Sequence, residues 1–138
     1  LGVTASIQPG HALVAAFGDS AEAWGEARFA RAYDYNALED AGVNLALGTD
    51  WPVWPTLHSA NNLWSALSVE HAIDLTTALN AYTAGGAEAV GQGGVLGCLA
   101  EGCTANITVL SASPFDVETA DISSLEIEAV YLAGEAVN

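Results

Sequence analysis

The first two thirds of the chain alternates short apolar runs with amphipathic stretches, a pattern that predicts an α/β arrangement. Residues 3–7 and 43–47 are short and mostly apolar, as buried strands are. A Gln-Pro-Gly sequence stops the first run, and a Gly-Thr-Asp sequence ends the second. We therefore expect His11 on the loop that leaves the first strand and Asp50 at the end of the second.

Helices are predicted between and after these strands, because capping residues precede stretches with apolar positions at helical spacing. The predicted helices begin at Ser20, cover 35–40 and 59–67, and run from Asp74 to Val90. The last of them contains Gly85-Gly86, a pair that costs about 2 kcal/mol of helix stability relative to two alanines. Close packing against a neighbouring element is expected at that pair.

The pattern changes after Gly91. Residues 91–97 are rich in glycine, and the segments 105–110 and 127–132 alternate apolar and polar residues as exposed strands do. This change predicts two units, an α/β unit over residues 1–92 and a small β unit over residues 93–138.

Charge narrows the class of partner. The 138 residues include 17 carboxylates but only two arginines and no lysine, so the formal net charge is −15. Such a surface repels phosphate backbones and anionic lipid, which excludes nucleic-acid binding through a basic surface. No apolar run approaches the ~20 residues of a transmembrane helix, so no membrane insertion is expected.

Two further features bear on the compartment of the protein. Cys98 and Cys103 flank a turn-like stretch and can form a disulfide if the two flanks run antiparallel, two free thiols being the alternative. Asn106-Ile107-Thr108 is a candidate glycosylation site, relevant only to a secreted eukaryotic protein. With the acidity, these features favour a secreted or extracytoplasmic protein.

Several motifs occur in an order that resembles the amidohydrolase superfamily. Residues 6–11, 38–43 and 47–53 are similar to the last two strand–helix units of its (β/α)8 barrel. Residues 75–83 resemble the following helix, 97–106 resemble the return into a small β-sandwich, and 133–137 resemble the closing hairpin. The nearest branch is amidohydrolase family 3, which includes N-substituted formamide deformylases. The resemblance therefore implies the end of a barrel over 1–92 and part of the sandwich over 93–138.

The resemblance also implies roles for individual residues. In this family the aspartate that ends the eighth strand binds a divalent metal, usually zinc, and takes a proton from the attacking water, a role that falls on Asp50. His11 and Trp51 are implied to line the substrate pocket, with Trp54 as another candidate. The alternatives are an Asp50 that caps a turn, a His11 without a role, and tryptophans that pack beneath the loop.

The departures from the family pattern limit what this chain does alone. The family's His-x-His pair, its lysine or carboxylate and its further histidines have no counterpart, and Cys103 and Asn106 replace a lysine and an aspartate. One aspartate does not hold zinc, and two strands do not close a barrel. The chain also starts without methionine, inside an apolar segment, so we expect a fragment or a processed chain.

We therefore hypothesise that the chain is the C-terminal portion of a metal-dependent amidohydrolase that cleaves C–N bonds in a small amide, formamide or cyclic amide. An N-terminal remainder of the barrel or a partner chain would supply the missing metal ligands. The alternative is a non-catalytic structural or interaction subunit derived from such a barrel, and a small acidic binding module that folds alone is a third, weaker option.

Overall fold

The computed structural model describes residues 2–16 and 20–137, which form a mixed α/β fold. The strands are β1 (Thr4–Ile7), β2 (Asn44–Leu47), β3 (Ile107–Leu110), β4 (Ile127–Leu132) and β5 (Glu135–Val137). The α-helices are α1 (Pro9–Ala16), α2 (Ser20–Trp24), α3 (Glu26–Phe29), α4 (Tyr35–Asp40), α5 (Ser59–Leu67), α6 (Leu75–Tyr82) and α7 (Ala84–Ala89), and a 3₁₀ helix covers Thr119–Ser124.

The two predicted strands of the α/β unit pair with each other in parallel. Their register runs from Thr4 opposite Asn44 to Ile7 opposite Leu47. The amide of Gly48 donates to the carbonyl of Ile7 at 2.9 Å, which extends the pairing one residue past β2. Because parallel strands end at the same edge of a sheet, the residues after Ile7 and after Leu47 are brought side by side.

Local sequence signals place α4, α5 and the start of α6 correctly. The bounds of α4 and α5 match the predicted ranges, and the Asp74 carboxylate caps α6 by accepting from the amide of Thr77 at 2.7 Å. The helix expected from Ser20 is interrupted at Gly25, whose φ of 81° is not helical. The capping role predicted for Ser20 concerns a side chain outside the described part of the chain.

The predicted helix from Asp74 to Val90 is divided at Thr83, so that prediction is wrong in its middle. Thr83 has φ −118° and ψ −89°, and its hydroxyl donates to the carbonyl of Leu79 at 2.7 Å. Gly97, in a later loop, packs so closely on the Thr83 carbonyl that a Cβ there would overlap it. The close packing expected at Gly85 is confirmed, since this glycine lies against the backbone of β2.

One apolar core joins the helices to the C-terminal region. Its centre is α5, whose Ala60, Leu63 and Ala66 are buried. Ile122 of the 3₁₀ helix packs in the same core and is only 1% exposed. Residues on both sides of the predicted boundary at 93 therefore share this core, and the division into two units remains a prediction.

The C-terminal strands form an antiparallel sheet in the order β3-β4-β5. Before β3, Cys98 and Cys103 are joined by a disulfide with their Cα atoms 6.0 Å apart. The side-chain oxygen of Asn106 accepts from the amide of Ala133 at 2.9 Å, so this exposed residue ties the start of β3 to the β4–β5 turn. No helix in the described ranges has the length and apolarity needed to cross a bilayer.

Candidate functional site

The side chains predicted to carry chemistry meet at the carboxyl edge of the β1–β2 sheet. After Ile7 the chain turns directly into α1, with Pro9 as its first residue, a position that needs no amide hydrogen. His11 therefore lies in the first turn of a helix and not on a loop, which corrects the prediction. Its amide donates to the carbonyl of Gln8 at 3.0 Å, which holds the His11 backbone just beyond the end of β1.

Asp50 occupies a tight turn after β2. Its φ of 56° is in the left-handed region, which aspartate tolerates better than most residues. The Asp50 carbonyl accepts from the amides of Val53 at 2.8 Å and Trp54 at 3.4 Å, while the Thr49 hydroxyl accepts from the amide of Trp51 at 3.1 Å. The turn is thus held by the Asp50 backbone and by Thr49, and the Asp50 carboxylate makes no hydrogen bond to the residues that the structure describes.

The Asp50 carboxylate faces the His11 imidazole. His11 Nε2 lies 3.5 Å from Asp50 Oδ2, and the two side chains are 30% and 55% exposed. This separation suits an ion pair when the histidine is protonated but is long for a hydrogen bond. His11 Nε2 itself is buried and has no hydrogen-bond partner within the described ranges. The edge therefore brings one carboxylate and one imidazole together at 3.5 Å.

The tryptophans of the following loop differ in their surroundings. Trp51 is 60% exposed, and its neighbour Val53 is 69% exposed. Trp54 is half-buried, and its indole ring lies directly on Gly10, the residue before His11. Nothing in the local sequence distinguishes Trp54, which packs on the start of α1, from Trp51, which is in solvent.

A complete metal site is not formed by these residues. Catalytic zinc sites use three protein ligands, and in residues 2–16 and 20–137 no group of three His, Cys, Asp or Glu side chains is close enough to hold a metal ion. The side chains brought together at this edge are His11 and Asp50. The Asp50 carboxylate fits one ligand position of such a site, and the described residues do not supply the other ligands.

A cleft lies at the opposite end of β2. This cleft of about 210 Å³ is lined by Glu39, Asn44, Thr77 and Glu88, among others. The Thr77 hydroxyl donates to the Glu39 carboxylate, and Asn44 is the first residue of β2. The cleft is therefore at the amino edge of the strand, away from Asp50.

Comparison with known proteins gives this geometry a context. The sequence model of the amidohydrolase family matches residues 1–138. The chain belongs to the amidohydrolase family. It is 30% identical over 112 residues to the N-substituted formamide deformylase of Arthrobacter pascens, a match that covers 74% of this chain and 20% of that enzyme.

Two solved crystal structures match most of the fold of this chain. A crystal structure of an amidohydrolase from Thermotoga maritima MSB8 matches 73% of this chain and 24% of its own, with a TM-score of 0.61 and 27% identity. An adenosine deaminase from Xanthomonas campestris with bound zinc matches 72% of this chain and 27% of its own, with a TM-score of 0.59 and 28% identity. The chain spans only 20% to 25% of the length of the curated relatives it matches.

Proposed function

We propose that this chain is the C-terminal part of a metal-dependent amidohydrolase barrel, contributing its last two strand–helix units and part of a small β-sandwich. In support, β1 and β2 are parallel, a helix follows each of them, and His11 and Asp50 follow their carboxyl ends. Barrel enzymes of the (β/α)8 type place their catalytic residues at that edge. The short coverage of the relatives supports a barrel completed by further sequence or by a partner chain.

The proposed reaction is hydrolysis of a C–N bond in a small amide, formamide or cyclic amide. Support comes from the amidohydrolase family match and from the name of the Arthrobacter relative, a formamide deformylase. A bound divalent metal, zinc in the Xanthomonas structure, would supply activation of water. The pair at this edge does not hold such an ion alone, so the remaining ligands would come from the rest of the barrel.

Within that site, the proposed role of Asp50 is to contribute one carboxylate and to accept a proton. The observation that carries this role is that the carboxylate stands at the end of β2 without a hydrogen bond to the described residues, its turn being held by other groups. The proposed role of His11 is to line the pocket and to orient Asp50 from 3.5 Å. Trp51 is the second proposed pocket residue, since its exposed ring adjoins Asp50 in sequence.

The test is turnover of the assembled protein with the Asp50→Asn substitution, which keeps the shape of the side chain and removes its charge. We expect kcat to fall by about 10²- to 10⁴-fold, the usual contribution of a positioned acid or base, with the melting temperature unchanged. Asp116→Asn is the matched control, because Asp116 is exposed in the C-terminal region. Activity close to that of the unsubstituted protein in the Asp50 variant would refute the assignment.

A second candidate is a non-catalytic structural or interaction subunit, favoured by the incomplete ligand set of the described residues. The two functions differ in what accompanies the native protein. An amidohydrolase is expected to purify with a divalent metal and with further barrel sequence that provides histidine ligands. A structural subunit would purify without metal.

A further inference from the structure

Trp54 and Gly10 connect the two residues of the candidate site, Asp50 and His11, through a series of contacts. The Trp54 amide donates to the Asp50 carbonyl, and the Trp54 indole packs on Gly10. Gly10 is bonded to His11, whose imidazole faces the Asp50 carboxylate at 3.5 Å. The Asp50 turn and the first turn of α1 are therefore connected through the contact of Trp54 with Gly10.

The contact between Trp54 and Gly10 leaves no space for a side chain on the glycine. A Cβ at Gly10 would lie 2.6 Å from Cε2 and 2.7 Å from Cε3 of the indole, and closer still to Cδ2. These distances are well inside van der Waals contact, so the flat face of the ring rests on the backbone. Gly10 does not have a positive φ, so space, and not backbone conformation, requires glycine at this position.

The indole is held there by its ring and not by its N–H group. Trp54 Nε1 is buried and has no hydrogen-bond partner in the described part of the chain, an arrangement that costs stability. Trp51, three residues earlier, is 60% exposed, so its side chain is not buried as that of Trp54 is. The loop therefore uses one tryptophan specifically to contact the start of α1.

We propose that Trp54 is a positioning residue, which through its stacking on Gly10 holds the Asp50 turn against the first turn of α1 and so sets the distance from Asp50 to His11. The catalytic consequence rests on the proposed role of Asp50, whereas the contact itself does not. Removing the indole frees the 51–58 loop to move Asp50 away from His11. Adding a methyl group at Gly10 displaces the same loop from the opposite side.

The test is a double-mutant cycle of Gly10→Ala and Trp54→Ala in purified protein that carries this chain. Gly10→Ala alone should lower the melting temperature by several degrees, because the methyl group collides with the ring. In the Trp54→Ala background the same substitution should leave the melting temperature unchanged or raise it, because alanine suits a helix better than glycine. If Gly10→Ala alone does not fold, recovery of folding in the double variant measures the same coupling.

Two readouts separate positioning from simple packing. The backbone amide signals of Asp50 and Val53 should shift in both single variants, since the turn moves. In the assembled enzyme kcat should fall by about 10- to 100-fold in Trp54→Ala, while KM changes less than kcat does. Gly48→Ala is the stability control, because a Cβ at Gly48 meets nothing within 4 Å at the same edge of the sheet.

Additive effects of the two substitutions, or unmoved Asp50 and Val53 signals in Trp54→Ala, would overturn the proposal. An Asp50→Asn variant with full activity would overturn the proposed function and leave a coupled Gly10–Trp54 cycle intact. An inactive Asp50→Asn variant beside an additive cycle would leave the proposed function and reject the positioning role.

Discussion

Gly85 and Gly86 are neighbours in α7, yet alanine at the two positions should change stability in opposite directions. A Cβ on Gly85 would overlap the carbonyl oxygen of Leu45 in β2 and would lie 3.3 Å from Asn44 Oδ1. A Cβ on Gly86 would meet only the carbonyl oxygen of Ala81, at 3.7 Å, an ordinary contact. The first substitution forces α7 away from the sheet, and the second does not.

The magnitude follows from three contributions. Overpacking of this kind costs about 1–3 kcal/mol. Movement of α7 also breaks the hydrogen bond from Asn44 Nδ2 to the Gly85 carbonyl, 3.2 Å long, at a cost of about 1 kcal/mol. The higher helix propensity of alanine stabilises the variant by about 1 kcal/mol and offsets part of this cost. Gly85→Ala should therefore destabilise the contact between α7 and β2 by about 1–3 kcal/mol, and Gly86→Ala should stabilise α7 by up to about 1 kcal/mol.

Amide hydrogen exchange in purified protein that carries this chain measures both effects where they occur. Because 1.4 kcal/mol corresponds to a factor of ten, protection of the β2 amides should fall roughly 5- to 150-fold in Gly85→Ala. The same amides should keep or gain protection in Gly86→Ala. Equal loss of protection in the two variants, or unchanged protection in Gly85→Ala, would refute the packing argument.

Two further predictions concern stability. Replacing Cys98 and Cys103 with serine opens a short loop and should lower the free energy of unfolding in urea by about 2 kcal/mol. Reduction of the unsubstituted protein should reproduce this loss. Equal unfolding midpoints with and without the disulfide would contradict the prediction. Burial, with a smaller contribution from neighbouring Tyr33, raises the pKa of Tyr35 from 10.0 to about 12. The Tyr35 stabilisation is present below pH 10 and is lost as pH rises from 10 towards 12, because the unfolded chain ionises first. Urea midpoints measured across that pH range should fall less steeply in Tyr35→Phe than in the unsubstituted protein. Part of the slope should remain, because burial also raises the pKa of Tyr82. An identical slope in the variant would contradict the raised pKa of Tyr35.

Elements with strong local signals were predictable from the sequence, and elements that depend on distant contacts were not. The two parallel strands have short apolar runs and α5 has apolar positions at helical spacing, and the structure confirms all three elements. Gly97, fourteen positions after Thr83, packs on the backbone where the 74–90 helix is divided. The 3₁₀ helix has no apolar periodicity, and Ile122 is buried where this helix packs on α5.

The candidate site was likewise predictable only in part from the sequence. The sequence pattern predicts that His11 and Asp50 follow the ends of two strands, and the structure brings His11 to 3.5 Å from Asp50. The Pro-Gly sequence was interpreted as a strand stop, although proline is equally suited to the first position of a helix, where the structure has it. The Trp54–Gly10 contact depends on the path of the 51–58 loop, for which the sequence offers no periodic signal.

The most direct test of the proposed metal site is divalent metal binding by the assembled protein, in which the rest of the barrel is present, with and without the Asp50→Asn substitution. Zinc titration with competition by a chelator gives both stoichiometry and affinity. If the carboxylate at the end of β2 is a ligand, the unsubstituted protein binds metal at a defined stoichiometry and the variant binds it at least about tenfold more weakly. Equal affinity in the two proteins, or no bound metal in either, would contradict the account.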